Sequence, residues 1–461
     1  MRDDSDTIFA QATPPGRAAI AVIRISGRRA FAAPSLFGCD VPPPGQFRLA
    51  HLVDAGGSRL DEAVMLAMKG PRSSTGEDVV EIHAHGSQAV TAAIMRQLGE
   101  ADGFRPAAPG EFTHRMFANG KIDLLGAEAL ADLIDAETDR QRLQAWRQRD
   151  GVLHRPVEGW RDALVRLAAQ LEAVIDFADE ELPGDLEARI HADTRALAGA
   201  MESVLDDGHE GERVRVGVTV SLVGPVNAGK STLLNRLAGR DVAIVSSQAG
   251  TTRDIVSVRI DLDGVPVTLL DTAGLRDTDD VIEAEGVRRA RDAARDSDAA
   301  LLVIDASTPG WHDDLVQLQT LAGAKQAVLL TKRDRLGADE TAAVLAGLAG
   351  LAGLASAARL VSLEDDADGG DLERVLELLR GLVVPANRPE TQSIITRARH
   401  RHALTRAMEA LRAADNIDLG SAPELAAEEY RRAADSLGRL TGQVDVEELL
   451  DSIFSSFCIG K

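Results

Sequence analysis

The chain has 461 residues, of which 44% are hydrophobic and 27% charged, and its formal net charge is −22. The apolar fraction excludes a largely disordered chain, and the acidic balance excludes a general nucleic-acid binder, which presents a basic surface. The two cysteines, Cys39 and Cys458, are too few for a disulfide scaffold. At roughly 150 residues per domain, this length predicts about three domains.

The first 120 residues are broken often by Pro and Gly, and their apolar residues come in short runs. Residues 20–25 and 79–85 alternate or run apolar, as strands do. We therefore expect an α+β domain over residues 1–120. The N-terminus is acidic and has no apolar segment, which indicates a protein without a signal peptide, located in the cytoplasm.

Two later segments have a helical pattern. Between Lys121 and about Asp206, apolar residues recur at helical spacing, and Pro183-Gly184 is the clearest break. The chain is helical again from about residue 391, with many Ala, Arg and Glu residues. We predict one helical domain in two parts, residues 121–214 and 385–461, with another domain inserted between them.

The inserted segment, residues 215–384, alternates strands with helices. The expected strands are 216–223, 299–304, 327–330 and 359–362, together with a hairpin of 256–262 and 265–270 across Asp263-Gly264. This alternation predicts a mostly parallel sheet with helices on both faces.

Two features bear on membrane attachment. Residues 341–358 are uncharged and as long as a membrane-spanning candidate, but their Ala and Gly content and their place between strands favour a helix that covers the sheet. The last four residues, CIGK, have the outline of a prenylation signal but end in an unusual residue. No membrane association is expected. The apolar residues 453–457, IFSSF, predict instead that the C-terminus docks on the protein.

A phosphate-binding loop is predicted at the start of the inserted domain. Residues 224–231, GPVNAGKS, fit the pattern G-x-x-x-x-G-K-[ST] and lie between a predicted strand and a predicted helix, as the pattern requires. Glycine lets such a loop wrap phosphates with its amides. Lys230 is expected to reach the β- and γ-phosphates, and Ser231 to ligate Mg²⁺. The alternative, a chance Gly-rich turn, is disfavoured by the context.

Two further segments predict contacts to Mg²⁺ and the γ-phosphate. Thr252 is the threonine expected to close over both. Asp271, the first residue of DTAG at 271–274, would hold Mg²⁺ through water. The amide of Gly274 would sense the γ-phosphate.

A guanine-recognising sequence follows the fifth strand. Residues 331–334 read TKRD, and the Asp334 carboxylate can accept both N1–H and the 2-amino group of guanine, a donor pair that adenine lacks. Thr331 stands where Asn is usual, and VSLE at 361–364 stands where a Ser-Ala motif is usual. These departures leave the strength of guanine binding open, but GTP is expected over ATP. The predicted nucleotide-binding residues are Gly224, Asn227, Ala228, Gly229, Lys230, Ser231, Thr232, Ser246, Ser247, Thr251, Thr252, Asp271, Thr272, Ala273, Gly274, Thr331, Lys332 and Asp334.

The residue that activates water is less obvious. Leu275 follows the DTAG motif where many small GTPases have Gln. A carboxylate of the next segment is the expected substitute, and the candidates are Asp279, Asp280, Glu283 and Glu285. No arginine finger is evident, and a monovalent cation beside the phosphates would supply the positive charge.

These motifs and both ends of the chain resemble the MnmE (TrmE) family of bacterial tRNA-modification GTPases over nearly the whole length. The N-terminal motifs are DTI at 6–8, RISG at 24–27, TGED at 75–78 with Glu81, PGEFT at 109–113 and NGKIDL at 119–124. FCIGK at 457–461 closes the chain.

The resemblance implies an N-terminal domain similar to folate-dependent aminomethyltransferases, which forms a homodimer, and a Ras-like GTPase domain within the helical domain. It implies a flavoprotein partner, MnmG (GidA), in a heterotetramer that adds an aminomethyl or carboxymethylaminomethyl group to C5 of the wobble uridine of certain tRNAs. A tetrahydrofolate derivative, 5-formyl or 5,10-methylene, would supply the one-carbon unit. By motif matching, Arg24, Glu81, Lys121 and Lys461 fall on folate-binding positions.

The resemblance also implies a K⁺ ion beside the phosphate-binding loop. Asn227 matches its side-chain ligand, and Ser246, Gln248 and Thr251 match the loop that wraps the ion. Ser246 and Gln248 differ from the commoner Thr and Ile, although backbone carbonyls could still coordinate there.

Glu283 best matches the catalytic glutamate, from its spacing to Asp271 and Gly286. With Lys230 and Thr252 it completes the predicted catalytic set. Cys458 has two interpretations, a reactive thiol or a small packed residue of the tail.

Other local interpretations stay open. Glu81, His83 and His85 share a strand face and, with His114, could form a metal site, or Glu81 could be a structural carboxylate. The basic run RARHRH at 397–402 is typical of a solvated helix face, with a tRNA contact as the alternative.

Two alternative functions remain. A GTPase switch in ribosome or RNA assembly would share the nucleotide motifs, but it predicts a basic RNA-binding appendage that the sequence lacks. A folate-dependent one-carbon transferase regulated by GTP would transfer its methylene group without GTP. The modification enzyme is favoured because one chain carries both sets of motifs.

Overall fold

The computed structural model of this chain describes residues 6–176, 185–207, 209–240, 242–244, 257–271, 297–319, 325–349, 357–364, 369–383, 393–444, 450, 453–455, 457 and 460. Its contacts divide the chain into two compact units. One comprises Met1–Ala131, Gln148–Thr194 and Glu409–Lys461, and the other comprises Asp132–Arg147 and Arg195–Met408.

The first unit contains a six-stranded sheet in the order β3-β4-β5-β2-β1-β6. Its neighbouring strands are antiparallel, except that β1 and β6 are parallel. The predicted strands at 20–25 and 79–85 lie within β2 and β5, which pair so that Arg24 stands opposite Glu81. The strands are β1 (Thr7–Gln11), β2 (Ala18–Ser26), β3 (Phe47–Val53), β4 (Arg59–Met68), β5 (Val79–Gly86) and β6 (Phe104–Pro106).

Three helices accompany this sheet, α1 (Ala33–Leu36), α2 (Gln88–Gly99) and α3 (Glu111–Ala118). Helix α2 begins where the Ser87 hydroxyl accepts a 3.2 Å hydrogen bond from the amide of Val90, an N-cap interaction. Its buried residues join strand residues in one hydrophobic core. The α+β fold expected for the N-terminal part is confirmed.

The next part of the chain forms α4 (Leu124–Ile134), α5 (Asp139–Arg149), α6 (His154–Asp176), α7 (Leu186–Leu205) and α8 (Glu210–Val216). The helical character predicted from Lys121 onward is confirmed. The strand predicted from residue 216 was wrong at its start, because Val216 ends α8. Gly217, with φ +87°, turns the backbone out of the helix, so the strand begins at Val218.

The second unit contains a six-stranded sheet in the order β12-β11-β10-β7-β9-β8. Its neighbours are parallel except β8 and β9, the predicted hairpin. Asp263 (φ +52°) and Gly264 (φ +83°) form the turn. The strands are β7 (Val218–Val223), β8 (Ser257–Leu262), β9 (Val265–Asp271), β10 (Ala299–Asp305), β11 (Gln326–Thr331) and β12 (Ala358–Leu360).

The helices between these strands are α9 (Lys230–Ala238), α10 (Trp311–Gln319), α11 (Ala338–Ala349) and α12 (Gly370–Val383). The single covering helix predicted for 341–358 was too long, because α11 ends at Ala349 and Ala358 already pairs with Val328 in the sheet. Residues 350–356 lie outside the described residues. In the portions that the structure describes, no helix is both long and apolar enough to cross a membrane.

Two long helices follow, α13 (Ala398–Asp415) and α14 (Pro423–Thr441). In the first unit α14 packs along α6. The buried Tyr430 hydroxyl of α14 lies 2.7 Å from the hydroxyl of Thr194 in α7, so their polar groups satisfy each other inside the bundle.

The interpretation of the basic run at 397–402 as a solvated helix face was wrong for three of its residues, although His402 is exposed. Arg397 contacts Asp132 at 2.7 Å, and Arg401 contacts Asp207 at 2.6 Å, while His400 is 2% exposed. Each arginine thus neutralises a carboxylate of another segment of the second unit, as partly buried charges must be paired.

Candidate functional site

The predicted phosphate-binding loop lies between β7 and α9, where the parallel strands end. This is the switch point of the sheet, because β7 has β9 on one side and β10 on the other. A side chain at Gly224 would overlap the carbonyl oxygen of Val303, so only glycine fits. Asn227 (φ +64°) and Gly229 (φ +102°) adopt the left-handed conformation that curls the loop.

Lys230 opens α9 and turns its side chain into the loop. Its Nζ donates to the carbonyl oxygens of Gly224 and Pro225 at 2.6 and 2.7 Å. The residue is 4% exposed, and this burial lowers its pKa, although the Asp271 carboxylate opposes the shift. A buried cation at a helix N-terminus is suited to receive a polyanion.

Ser231 and Asp271 meet beside the loop. The Ser231 hydroxyl donates a 3.0 Å hydrogen bond to a carboxylate oxygen of Asp271, which is 2% exposed at the end of β9. A hydroxyl and a carboxylate are oxygen donors of the kind that Mg²⁺ takes in nucleotide sites. The donor set therefore fits the predicted magnesium site.

Two residues of the guanine motif are held by the surrounding loops. The Thr331 hydroxyl, 1% exposed, donates to the carbonyl oxygen of Ala228 at 2.7 Å. Thr331 thus joins β11 to the phosphate-binding loop. Asp334 accepts a 2.7 Å hydrogen bond from the hydroxyl of Ser362. From the sequence, Ser362 was only part of a departure from the usual motif, yet its side chain contacts the Asp334 carboxylate.

Lys332 forms an ion pair with Asp305, the last residue of β10. It adopts φ +60°, and its Nζ lies 2.7 Å from Asp305, whose other oxygen accepts from the Ser307 hydroxyl at 2.6 Å. Burial alone would raise the pKa of Asp305, but the hydrogen bonds and charge of Lys332 and the bonds from Ser307 lower it below its ordinary value. Asp305 is therefore ionised and pairs with Lys332 in the loop that follows β11.

The structure brings together the described members of the predicted set at the carboxyl ends of β7, β9 and β11. Other predicted site residues lie outside the described residues, namely Ser246, Ser247, Gln248, Thr251, Thr252, Thr272, Ala273, Gly274, Asp279, Asp280, Glu283, Glu285, Cys458 and Lys461.

In the first unit, Arg24 and Glu81 form a charged pair on adjacent strands. Arg24 Nε lies 2.8 Å from Glu81 Oε1, and His83 Nε2 lies 3.2 Å from Glu81 Oε2. The Arg24 guanidinium lies 5.8 Å from the centre of the Phe112 ring. The carboxylate and the guanidinium thus meet on the sheet, and the guanidinium lies over the buried Phe112 ring of α3.

Lys121, a third predicted folate residue, makes a different contact. Its Nζ donates to the carbonyl oxygen of Pro71 at 2.9 Å. Close by, Asn119 donates to the Thr75 carbonyl at 2.8 Å, and a side chain at Gly76 (φ +83°) would crowd Asn119. Two motifs distant in sequence, at 75–78 and 119–124, are therefore packed against each other.

A buried ionic network was missed in the sequence. Arg115, 1% exposed, donates to Glu77 at 3.0 Å and to Glu111 at 3.2 Å. Arg105 donates to both oxygens of Glu111, at 2.7 and 2.8 Å. Burial alone would raise the pKa of Glu111, but hydrogen bonds from Arg105 and the Ala108 amide, with the charges of Arg105 and Arg115, lower it to about 2. In the sequence, the only indication of this network was that Glu77 and Glu111 belong to the motifs at 75–78 and 109–113.

The docking predicted for the C-terminal tail is confirmed for its described residues. Phe454 is 1% exposed and packs against Phe117 and Phe457, with ring centres 6.5 and 5.7 Å apart. A side chain at Gly460 would overlap the carbonyl oxygen of Gln11. The tail therefore lies against the end of β1 in the same unit as the Arg24–Glu81 pair.

The alternative metal site at Glu81 was wrong. The His85 ring lies 2.7 Å from Asp61, and the His114 ring packs edge-on against Phe454. Within the described ranges, no group of three or more His, Cys, Asp or Glu side chains is arranged to hold a metal ion.

Two family models match this chain. Residues 7–121 match the family model of the GTP-binding protein TrmE N-terminus, and residues 124–458 match that of the MnmE helical domain. The tRNA modification GTPase MnmE of Paramagnetospirillum magneticum is 49% identical over 458 residues, covering 99% of this chain and 100% of its own. That of Rhodospirillum rubrum is 46% identical over 469 residues, covering 99% of each chain. Among solved structures, a point variant of Era from Aquifex aeolicus, bound to GDP and AlF4⁻, aligns with 42% of this chain and 66% of its own, at 25% identity and a TM-score of 0.29.

Proposed function

The chain belongs to the MnmE (TrmE) family of tRNA modification GTPases, and we propose that its GTP hydrolysis serves the modification of C5 of the wobble uridine in certain tRNAs. With the flavoprotein MnmG (GidA), it would add an aminomethyl or carboxymethylaminomethyl group. The observation that carries the proposal is the convergence of Lys230, Ser231 and Asp271 in a chain that also pairs Arg24 with Glu81.

For the phosphates, the proposal gives each described residue a role. The loop amides and Lys230 hold the β- and γ-phosphates, and Ser231 with Asp271 holds Mg²⁺, the latter through water. When bound, Mg²⁺ neutralises charge that develops on the phosphate oxygens. Since phosphoryl transfer is accelerated by positioning and charge rather than covalent chemistry, the rigid strand–loop–helix geometry supports this assignment.

The remaining catalytic roles rest on sequence matches. Thr252 and Gly274 would contact the γ-phosphate, Glu283 would orient the attacking water, and K⁺ would add positive charge beside the loop. Asn227, held at φ +64° in that loop, is the described member of the proposed K⁺ ligands, which also include Ser246, Gln248 and Thr251.

For the base, we propose that Asp334 reads guanine through its N1–H and 2-amino groups. The hydrogen bond from Ser362 supports this role, because it holds one carboxylate oxygen while a carboxylate retains lone pairs for a bidentate ligand. Thr331 and Lys332 would keep the loop against the phosphate site.

In the N-terminal domain, the proposal places a tetrahydrofolate derivative, 5-formyl or 5,10-methylene, near the Arg24–Glu81 pair. The pterin ring carries adjacent N–H groups, and a carboxylate such as Glu81 can accept hydrogen bonds from both. Lys121 with Lys461 offers positive charge for the carboxylates of the folate tail. In this proposal the Cys458 thiol would have a chemical role.

We further propose a cytoplasmic homodimer that joins MnmG in a heterotetramer and binds tRNA. Its domains would be 1–120 for folate binding and dimerisation, 121–214 and 385–461 for the helical domain, and 215–384 for GTP. The family matches at 7–121 and 124–458 support the first of these boundaries.

The test is mass spectrometry of tRNA nucleosides from cells that carry only Asp271→Ala, beside cells with the matched surface variant Asp313→Ala. Loss of the C5-modified wobble uridines with Asp271→Ala alone is the expected result. Unchanged nucleosides, with the variant folded and unable to hydrolyse GTP, would instead favour a GTPase switch in RNA assembly.

A further inference from the structure

A buried carboxylate, Asp371, lies behind the guanine-reading loop. It is in the first turn of α12 and is 3% exposed. One oxygen accepts a 2.7 Å hydrogen bond from the backbone amide of Ser362 and lies 2.8 Å from the Arg333 guanidinium. The other accepts from Arg374 at 2.7 Å.

Two of these contacts lead directly to Asp334. Ser362, whose amide Asp371 holds, uses its hydroxyl to donate to the Asp334 carboxylate at 2.7 Å. Arg333 is the residue before Asp334, and its amide donates to the carbonyl oxygen of Val361, next to Ser362. Asp371 therefore contacts both loops that meet at the base-reading carboxylate, the one after β11 and the one after β12.

Asp334 needs such support. It is exposed and lies in a short helical turn, Arg333–Arg335, entered through the left-handed residue Lys332. Recognition of two adjacent donors requires a carboxylate held within about 0.5 Å of its productive position, which a single exposed turn does not provide. An ion pair that is buried on one side can provide it, since moving either loop would remove one of the contacts that compensate the buried Asp371 charge.

We propose that Asp371 is a positioning residue for guanine recognition, which acts through Ser362 and Arg333 and does not itself touch the base. The inference rests on the proposed role of Asp334. It identifies the recognised ligand as a base with a 2-amino group, and it makes the discrimination between guanine and hypoxanthine depend on a residue far along the chain.

The experiment measures the affinity of the full-length protein for GDP and for inosine diphosphate, which lacks the 2-amino group, by calorimetry with Mg²⁺. Asp371→Asn keeps the size of the side chain and an acceptor for Ser362 but removes the charge. We expect its GDP affinity to fall roughly 10- to 100-fold and its IDP affinity to fall less, because IDP donates only its N1–H to Asp334 and so has one contact fewer to lose. KM for GTP should rise with kcat little changed.

Two arginines give a matched control. Arg333→Ala and Arg374→Ala each remove one partner of Asp371, but only Arg333 lies in the guanine loop. Arg333→Ala should reduce the preference for GDP over IDP, and Arg374→Ala should retain it. If urea titrations show that Asp371→Asn is poorly folded, the comparison of the two arginine variants still tests the proposal.

The proposal is overturned if Asp371→Asn loses affinity for GDP and for IDP by the same factor. It is also overturned if neither Asp371→Asn nor Arg333→Ala changes the preference for GDP over IDP. Asp334→Asn separates the two levels of the argument. If Asp334→Asn still prefers GDP, the proposed role of Asp334 fails. If it loses that preference while the Asp371 and Arg333 variants keep theirs, only the positioning role fails.

Discussion

The hydroxyl of Ser231, at the start of α9, donates a 3.0 Å hydrogen bond to the carboxylate of Asp271, at the end of β9. The two residues are brought together because β7, which leads into Ser231's loop, pairs in parallel with β9. Two oxygen atoms that can ligate a metal ion are thereby placed beside the buried Lys230 ammonium.

The first prediction concerns Mg²⁺. Ser231→Ala and Asp271→Asn should each lower the rate of GTP hydrolysis, by roughly 10- to 1000-fold, and raise the Mg²⁺ concentration needed for half-maximal rate. Asp298→Asn is the control. Asp298 accepts a hydrogen bond from the Thr219 amide near the start of β7, at the end of that strand opposite to the phosphate-binding loop. A Mg²⁺ dependence that is identical in all three variants would contradict the assignment.

The second prediction concerns Lys230. Its pKa is lowered by burial, so the charged form disfavours the folded state at neutral pH. Lys230→Met should abolish nucleotide binding while keeping or raising the thermal unfolding midpoint of the nucleotide-free protein. Lys332→Met, which breaks the ion pair with Asp305, should not raise that midpoint. A large loss of stability in Lys230→Met would mean that its contacts to Gly224 and Pro225 hold the loop.

The third prediction concerns the pH dependence of stability. Because the folded-state pKa of Glu111 is about 2 against an ordinary 4.5, its stabilisation is complete above pH 4.5 and is lost as the pH falls toward 2. Its magnitude is about 3 kcal/mol. Urea unfolding of Glu111→Gln should therefore differ most from the unmutated protein at pH 7 and 5, and less at pH 3. A difference that does not change with pH would exclude the ionic origin.

The fourth prediction concerns the β8–β9 turn. Gly264 adopts φ +83° and packs on the side chain of Arg140, while its carbonyl oxygen accepts a 2.8 Å hydrogen bond from the Thr138 hydroxyl. Gly264→Ala should lower the free energy of unfolding by roughly 1–3 kcal/mol. Gly239→Ala, where an added carbon makes only ordinary contacts, should change it by less than about 0.5 kcal/mol.

The fifth prediction concerns the folate proposal. Glu81→Gln keeps the shape of the side chain but cannot accept from two adjacent donors, so binding of 5-formyltetrahydrofolate should weaken by roughly 10-fold or more in calorimetry. The control is Glu62→Gln, which changes a half-buried carboxylate that pairs with Arg59 on the neighbouring strand β4. Equal binding by both variants would place the pterin ring elsewhere.

Much of the nucleotide site was predictable because it is local in sequence. Residues 224–231 specify a turn that only glycine-rich backbone can make, so the position of Lys230 follows from the strand before the loop and the helix after it. Asp271 and the Asp263-Gly264 turn follow from the hairpin pattern in the same way. The extent of the helix predicted at 341–358 was less predictable, since Ala and Gly runs do not mark where a helix ends and a strand begins.

The contacts that position these residues were decided only by the tertiary structure. Ser362 reaches Asp334 across 28 positions, Arg115 reaches Glu77 across 38, and Arg397 reaches Asp132 across 265. No periodicity or motif spacing pairs such residues, because a charged side chain in a sequence is equally compatible with solvent and with a buried partner. Packing decides between them, since the chain buries a charge only where the fold brings an opposite charge or a hydrogen-bond donor to it. The sequence alone determined which chemistry the chain carries, and the fold determined which residues hold that chemistry in place.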